Sequence, residues 1–231
     1  MAEKILFFDA GPIITLVMAR MSWILPELKK KFNGKFYITP AVRKELIERP
    51  IQIKRFQFEA LQVLKMIRDG VLEIYEDIPK KEIMRLNKLA NTSFMINNKP
   101  MEIIQSGEIQ SVICALKTNA DAIVMDERTL RLFIENNKEM KSLLERRFKK
   151  NVSVNPENMN QFSQELQKVK IIRSIELIST AYKMNLFDHY TPKIKNGKSI
   201  LAESILWAAK YNGCAVTQHE VEEIKNFILK K

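Results

Sequence analysis

Short apolar runs alternate with amphipathic segments along the first 155 residues, and this alternation constrains the fold more than any other feature. The runs "KILFF" (4–8), "KFYIT" (35–39), "VLEIYE" (71–76) and "AIVM" (122–125) have the length and β-prone composition of buried strands. Segments with helical periodicity lie between them. Strands that alternate with helices predict an α/β protein whose central parallel sheet is covered on both faces.

Several helix starts carry their own signals. Thr39-Pro40 combines an N-cap with a proline in the first turn, Ser106 is a second N-cap, and "TQHE" (217–220) is a capping box. These signals and the apolar periodicity predict helices over residues 12–20, 23–32, 40–50, 52–70, 79–91, 106–118 and 127–136. Residues 92–105 are irregular and give no prediction, and "VSV" (152–154) is an expected edge strand.

Beyond Asn155-Pro156 the pattern is purely helical, which sets the expected domain organisation. We predict an α/β domain over residues 1–155 and an α-helical C-terminal appendage over residues 156–231. Apolar residues of 201–207 would face the core or a partner, and a homodimer is one expectation. A helix-turn-helix DNA reader is the alternative, but the acids of "HEVEE" (219–223) would repel phosphates.

The composition is that of an ordinary globular protein. The chain has 231 residues, of which 46% are hydrophobic and 28% are charged. Asp9 interrupts the N-terminal apolar run, so this run is neither a membrane span nor a signal segment, and no membrane partner is expected. Cys114 and Cys214 are expected to be reduced core residues of a cytoplasmic protein. The chain has 2 histidines, too few for a His/Cys zinc cluster.

The net charge of +11 is concentrated in the first part of the chain. Residues 151–231 carry 11 basic and 8 acidic residues, which leaves 27 and 19 in residues 1–150. A basic surface favours a polyanionic partner, with nucleic acid first. A lysine-rich solvated surface without a partner is the simpler alternative.

Four carboxylates are expected at one edge of the sheet. Asp9 follows its strand directly and Asp126 follows "AIVM", so both should emerge where parallel strands end and where ligands bind. Glu45 and Glu108 lie early in the two helices that begin at Pro40 and Ser106, and both can point to the same place. Asp121 precedes its strand, so it should lie roughly 16 Å away, at the opposite edge.

Converging carboxylates require raised pKa values or a bound cation. Because oxygen ligands suit hard ions, the pattern predicts a Mg²⁺ or Mn²⁺ site able to hydrolyse a phosphodiester. Each acid also has a simpler interpretation. Asp9 and Asp126 would cap the helices that follow them, Glu45 would pair with a surface cation, and Glu108 would interact with a helix dipole.

The motifs "FFDAGPIITL", "ITPAVRKELI" and "SGEIQSVICALKTNADAIVMDERTLR" resemble, in order and spacing, the PIN-domain nuclease superfamily. The resemblance covers about residues 4–136, apart from an unaligned spacer over 51–105. It implies an α/β/α sandwich, one or two Mg²⁺ or Mn²⁺ ions, and hydrolysis of single-stranded or structured RNA. It carries the family's four acids onto Asp9, Glu45, Glu108 and Asp126, with Glu127 as an extra acid.

The sequence departs from the family pattern at two hydroxyls. Gly11 and Val124 stand where many members have Ser or Thr. A PIN-like module that binds RNA or protein without cutting is therefore the main alternative to a nuclease. The chain is longer than the compact toxin members, which favours a larger archaeal-like enzyme of RNA processing or decay.

Other catalytic and binding patterns are poorly matched. A haloacid-dehalogenase-type phosphatase needs a second Asp at position 11, which is Gly. No P-loop or dinucleotide-binding glycine motif is present. Tyr182, Phe187 and Tyr190 lie among lysines in a loop-rich segment, where they would stack on RNA bases or simply pack.

Overall fold

The structure, a computed structural model, describes residues 3–104, 106–135 and 137–230. Five parallel strands form a central sheet in the order β3-β2-β1-β6-β8, and three antiparallel strands form a small sheet in the order β5-β4-β7. The strands are β1 (Lys4–Phe8), β2 (Gly34–Ile38), β3 (Glu73–Ile74), β4 (Phe94–Ile96), β5 (Lys99–Pro100), β6 (Ala122–Val124), β7 (Ser153–Val154) and β8 (Ile171–Ile172).

Helices fill most of the remaining chain; seven of them overlap the predicted ranges, and the helix at 137–148 was not predicted. The helices are α1 (Ala10–Met18), α2 (Ile24–Phe32), α3 (Pro40–Arg43), α4 (Gln57–Arg68), α5 (Lys80–Thr92), α6 (Ser106–Lys117), α7 (Arg128–Glu135), α8 (Asn137–Phe148), α9 (Pro156–Leu166), α10 (Ser174–Lys183), α11 (Gly197–Tyr211) and α12 (Gln218–Leu229). A π-helical turn (Lys44–Glu48) continues α3, and short 3₁₀ turns cover Pro50–Gln52, Lys54–Phe56 and Asp188–Tyr190.

The predicted α/β architecture with a central parallel sheet is confirmed. Side chains of a strand point alternately to the two faces, and β1 shows this directly. Leu6 and Phe8 enter one hydrophobic core, while Phe7 between them enters another. Helices α5 to α9 contribute to the core around Phe7, and the other helices contribute to the core around Leu6. The sheet is therefore covered on both faces, a layering compatible with an α/β/α sandwich.

Two helix caps form as predicted. The Thr39 side chain accepts a hydrogen bond from the amide of Val42, and Thr217 and Glu220 form a reciprocal capping box. Helix α6 begins at Ser106, but the predicted capping by its side chain lies outside the described residues. No helix in the described ranges has both the length and the apolar character needed to cross a membrane.

The segment without a prediction, 92–105, contains the hairpin β4–β5. Its turn residues Asn97 and Asn98 have φ angles of 50° and 60°, the left-handed geometry that a two-residue hairpin turn requires. Strand β7 pairs with β4. The expected edge strand at 152–154 therefore exists, but it borders the small sheet rather than the central one.

The expectation that the chain is purely helical after residue 155 is wrong. Strand β8 pairs in parallel with β6 and forms the edge of the central sheet, with Ile123 opposite Ile171. Residues of α10, α11 and α12 share one hydrophobic core with β1 and α1. The division at residue 155 stays a prediction.

Candidate active site

The carboxyl edge of β1 and β6 is the edge at which open parallel sheets commonly bind ligands. The chain order changes direction there, because β2 and β3 lie on one side of β1 while β6 and β8 lie on the other. Crevices at such switch points bind ligands in open parallel sheets. Asp9 follows β1 and Asp126 lies two residues beyond β6, with side chains only 6% and 3% exposed. The structure therefore brings these two predicted acids together.

Gly11 lies against both Asp9 and Asp126. A Cβ atom at this position would lie 3.6 Å from the Asp126 Cβ and 3.7 Å from the Asp9 Oδ2. A hydroxyl-bearing side chain here would enter the space beside Asp9 and Asp126. The glycine leaves this space open.

Asp126 is held by hydrogen bonds from two other elements. The Thr15 hydroxyl donates to its Oδ2 at 2.9 Å, and the backbone amide of Ser174 donates to its Oδ1 at 2.8 Å. Because Ser174 is the first residue of α10, Asp126 binds the start of that helix rather than the start of α7. The simpler interpretation of Asp126 as the cap of α7 is wrong. Glu127 occupies that role, since its Oε2 accepts from the Leu130 amide at 2.8 Å.

Asp9 is a buried carboxyl with weak hydrogen-bond support. Asp9 is the N-cap of α1, as the simpler interpretation of this residue predicted. The capping hydrogen bond is long, because the Gly11 amide lies 3.5 Å from the Asp9 Oδ2. Burial raises the pKa of Asp9 from 3.8 to about 6, and the negative charges of Glu45 and Asp126 add to this. Hydrogen bonds from the Ala10 and Gly11 amides oppose the shift without cancelling it.

This shift predicts an unusual pH dependence of stability. Between pH 3.8 and about 6 the folded protein keeps a proton on Asp9 that the unfolded chain has released. Stability should therefore fall as the pH rises through this window, by about 3 kcal/mol at most. We expect urea unfolding in EDTA to show this component in the parent and not in Asp9→Asn. Parallel pH profiles of the two proteins would contradict the assignment.

Glu45 approaches the two aspartates from the helix after β2. It lies in the π-helical turn that continues α3, a local geometry found often at functional sites. Its negative charge contributes to the raised pKa of Asp9, which places its carboxylate within electrostatic reach of that group. Its Oε2 also lies 4.0 Å from the position of a Cβ on Gly107, so it borders the first turn of α6.

Glu108 belongs to that first turn of α6 and is half-buried. The start of α6 is fixed against α3, because the Ala41 amide donates to Gln110 Oε1 at 3.0 Å. Glu108 is the residue after Gly107, the glycine that borders Glu45. Within the described part of the chain, no group of three or more His, Cys, Asp or Glu side chains is arranged to hold a metal ion.

The exclusion of Asp121 is confirmed. Its Oδ2 accepts from the Ile5 amide at 2.7 Å, near the beginning of β1 and therefore at the opposite edge of the sheet. This hydrogen bond fixes the start of β1 to Asp121.

The prediction of buried, unpaired cysteines is confirmed as well. Cys114 and Cys214 are both free, and burial raises the pKa of each thiol to about 12. The charge of Asp126 adds to the shift at Cys214, so this thiol lies beside the site. Such protonated thiols are inert as nucleophiles.

Thr15 and Ser174 were missed by the sequence analysis. Thr15 lies one helical turn beyond Gly11, so the same face of α1 that lacks a hydroxyl at position 11 provides one at position 15. This spacing was the available signal. No sequence signal indicates the contact of Ser174 with Asp126, because the two residues lie 48 positions apart.

Comparison of the chain with models of known families, with characterised proteins and with solved structures finds no match.

Proposed function

We propose that the protein is a Mg²⁺- or Mn²⁺-dependent ribonuclease that hydrolyses RNA phosphodiester bonds at the carboxyl edge of β1 and β6. The observation that carries the proposal is the pair of buried carboxyl groups, Asp9 and Asp126, which lie against Gly11 at this edge. Burial and the carboxylates of Glu45 and Asp126 raise the pKa of Asp9, in agreement with it. A site that disfavours its own negative charge favours a bound cation. The resemblance to PIN-domain nucleases supports RNA as substrate, and a role in RNA processing or decay follows from it.

The donor chemistry of the site fits a hard divalent ion. Asp9, Glu45, Glu108 and Asp126 offer carboxylate oxygens, the ligands that Mg²⁺ and Mn²⁺ prefer. These four residues would hold the ion. When bound, it would supply positive charge that stabilises the transition state at phosphorus and lowers the pKa of the attacking water.

The protein's own groups prepare this chemistry. Thr15 and the Ser174 amide hold both oxygens of Asp126 in one orientation, so this carboxylate needs no reordering when a ligand arrives. The enclosure of Asp9 limits its hydration and strengthens electrostatic interactions at the edge. The excess of 38 basic over 27 acidic residues favours the approach of a polyanion.

A non-catalytic PIN-like module that binds RNA or a protein is the second candidate. It is favoured by the absence, among the described side chains, of a preformed group of three metal ligands. A module of this kind would use the basic surface for binding, and its buried aspartates would serve only to anchor helices.

Cleavage of a labelled RNA panel distinguishes the two candidates. We expect cutting of unpaired RNA in Mn²⁺ or Mg²⁺ and none in EDTA. Glu45→Gln should slow cutting about a hundredfold, equivalent to about 3 kcal/mol in the barrier, because it weakens the proposed ion site. Asp121→Asn, at the opposite edge, is the matched control and should cut like the parent. Tight RNA binding without cutting under any condition would favour the module.

A further inference from the structure

An aromatic cleft of about 480 Å³ lies where α1 ends. Its wall contains Trp23, Phe187 and Tyr190. The Trp23 ring lies 5.2 Å from Phe187 and 6.5 Å from Tyr190 between centroids. Phe187 is buried and supports the wall, whereas Tyr190 is 59% exposed, with the His189 ring 4.1 Å from its own ring. The size and concave shape are those of a small-ligand site.

The cleft is separate from the carboxylate site. Helix α1 starts beside Asp9 and runs for 9 residues, so its far end lies about 14 Å away. Arg20, which lines the cleft, follows that far end. A ligand long enough to occupy both places would lie along α1.

Exposed cations lie on the chain segments that line the cleft, and the described ranges contain no ion-pair partner for them. Arg20 lines it, and Lys193, Lys195 and Lys198 lie on the segment that joins Pro192 to Ile200, both of which also line it. Asp188 is the one acid in the sequence 187–200. Unpaired lysines and arginines are the groups that bind backbone phosphates.

The backbone of Arg20 closes helix α1. Its φ angle is 59°, in the left-handed region that asparagine tolerates and most other side chains avoid. Of the 8 non-glycine residues with positive φ in the described ranges, 6 are asparagines, and Arg20 is one of the two that are not. This geometry belongs to the end of α1, where the Arg20 amide donates to the Val17 carbonyl and the Met21 amide donates to the Leu16 carbonyl.

We propose that this cleft binds an unpaired base of single-stranded RNA, with the base against Tyr190 and Trp23 and the neighbouring phosphates at Arg20 and the three lysines. Aromatic faces stack on bases of any sequence, and free cations follow the backbone. The identity of the strand as RNA rests on the proposed function. The cleft would then hold the same strand whose scissile phosphate lies at Asp9.

Fluorescence of Trp23 reports binding independently of cleavage. The chain has 2 tryptophans, so Trp207→Phe leaves Trp23 as the sole reporter. In EDTA, a single-stranded RNA of about 12 nucleotides should quench it saturably. In this background Tyr190→Ala should weaken binding about 5- to 100-fold. Tyr211→Ala is the matched control, because this aromatic is 78% exposed and lies outside the cleft.

A second variant tests the charge without relying on Tyr190. Arg20→Asn removes the cation, and asparagine suits the left-handed backbone, so the protein should stay folded. RNA binding should weaken, and the slope of the logarithm of the binding constant against the logarithm of the salt concentration should decrease in magnitude by about 1. Equal quenching by an abasic strand of the same length, or unchanged binding by Tyr190→Ala, would overturn the proposal. If the protein cuts RNA but RNA does not quench Trp23, the base-binding role of the cleft is rejected and the nuclease proposal stands. If RNA quenches Trp23 but is not cut, the nuclease proposal is rejected and the base-binding role stands.

Discussion

The substitution Asp9→Asn is expected to reduce RNA cleavage about a thousandfold or more, while making the folded protein more stable. The loss of rate follows because the amide removes one negative charge from the proposed ion site, a contribution of about 4 kcal/mol to the barrier. The gain in stability follows because burial raises the pKa of Asp9 to about 6, so its ionised form is disfavoured at pH 7. We expect about 1–3 kcal/mol of stabilisation in urea unfolding.

The two measurements on this variant answer different questions. Cleavage rates in Mn²⁺ test the function, and unfolding in EDTA tests the electrostatic argument. Cutting that survives Asp9→Asn at the parent rate would remove Asp9 from the mechanism. A destabilised Asp9→Asn would show that the capping hydrogen bonds of Asp9 outweigh its burial.

Asp126→Ala should have the opposite effect on stability, although Asp126 is the nearest buried carboxyl. Its two hydrogen bonds to Thr15 and to the Ser174 amide each contribute about 1.5–3 kcal/mol, as expected for a charged acceptor. Truncation leaves both donors buried without a partner. We expect a loss of about 3–5 kcal/mol in urea unfolding, together with loss of cleavage.

Variants of Thr15 provide the matched comparison for Asp126. Thr15→Ser keeps the hydroxyl and should stay within about 1 kcal/mol of the parent, because it loses only a methyl group. Thr15→Val keeps the shape, removes the donor, and should lose more stability than Thr15→Ser. Equal stability of Asp126→Ala and the parent would mean that the Thr15 and Ser174 contacts are not made in solution.

Residue patterns alone predict the centre of the main sheet because β1 and β2 have five residues each and β6 is wholly apolar. "KILFF" and "AIVM" have no competing interpretation as exposed segments, and their order implies that Asp9 and Asp126 share an edge. Strand β8 escapes prediction because it has only two residues, Ile171 and Ile172, between a lysine and an arginine. Its strand geometry comes from pairing with β6, which is a tertiary effect.

The finer features of the site depend on contacts between distant parts of the chain. The π-helical turn around Glu45 has no propensity signal, because the same residues favour an ordinary helix. The donors to Asp126 come from 111 and 48 residues away. Periodicity and capping rules describe neighbours along the chain, so they predict the positions of the acids but not the groups that orient them.

The central position of β1 has a consequence for how the chain folds. Leu6 pairs with Phe36 on one side and with Ala122 on the other, so the first strand needs a partner that lies more than a hundred positions later. During synthesis β1 is made early but stays without its second neighbour until β6 has left the ribosome, and the sheet gains its last strand only with β8. Such non-local pairing slows folding and exposes apolar edges in the meantime. The central sheet is therefore expected to be completed only late in folding, once β6 and β8 can pair.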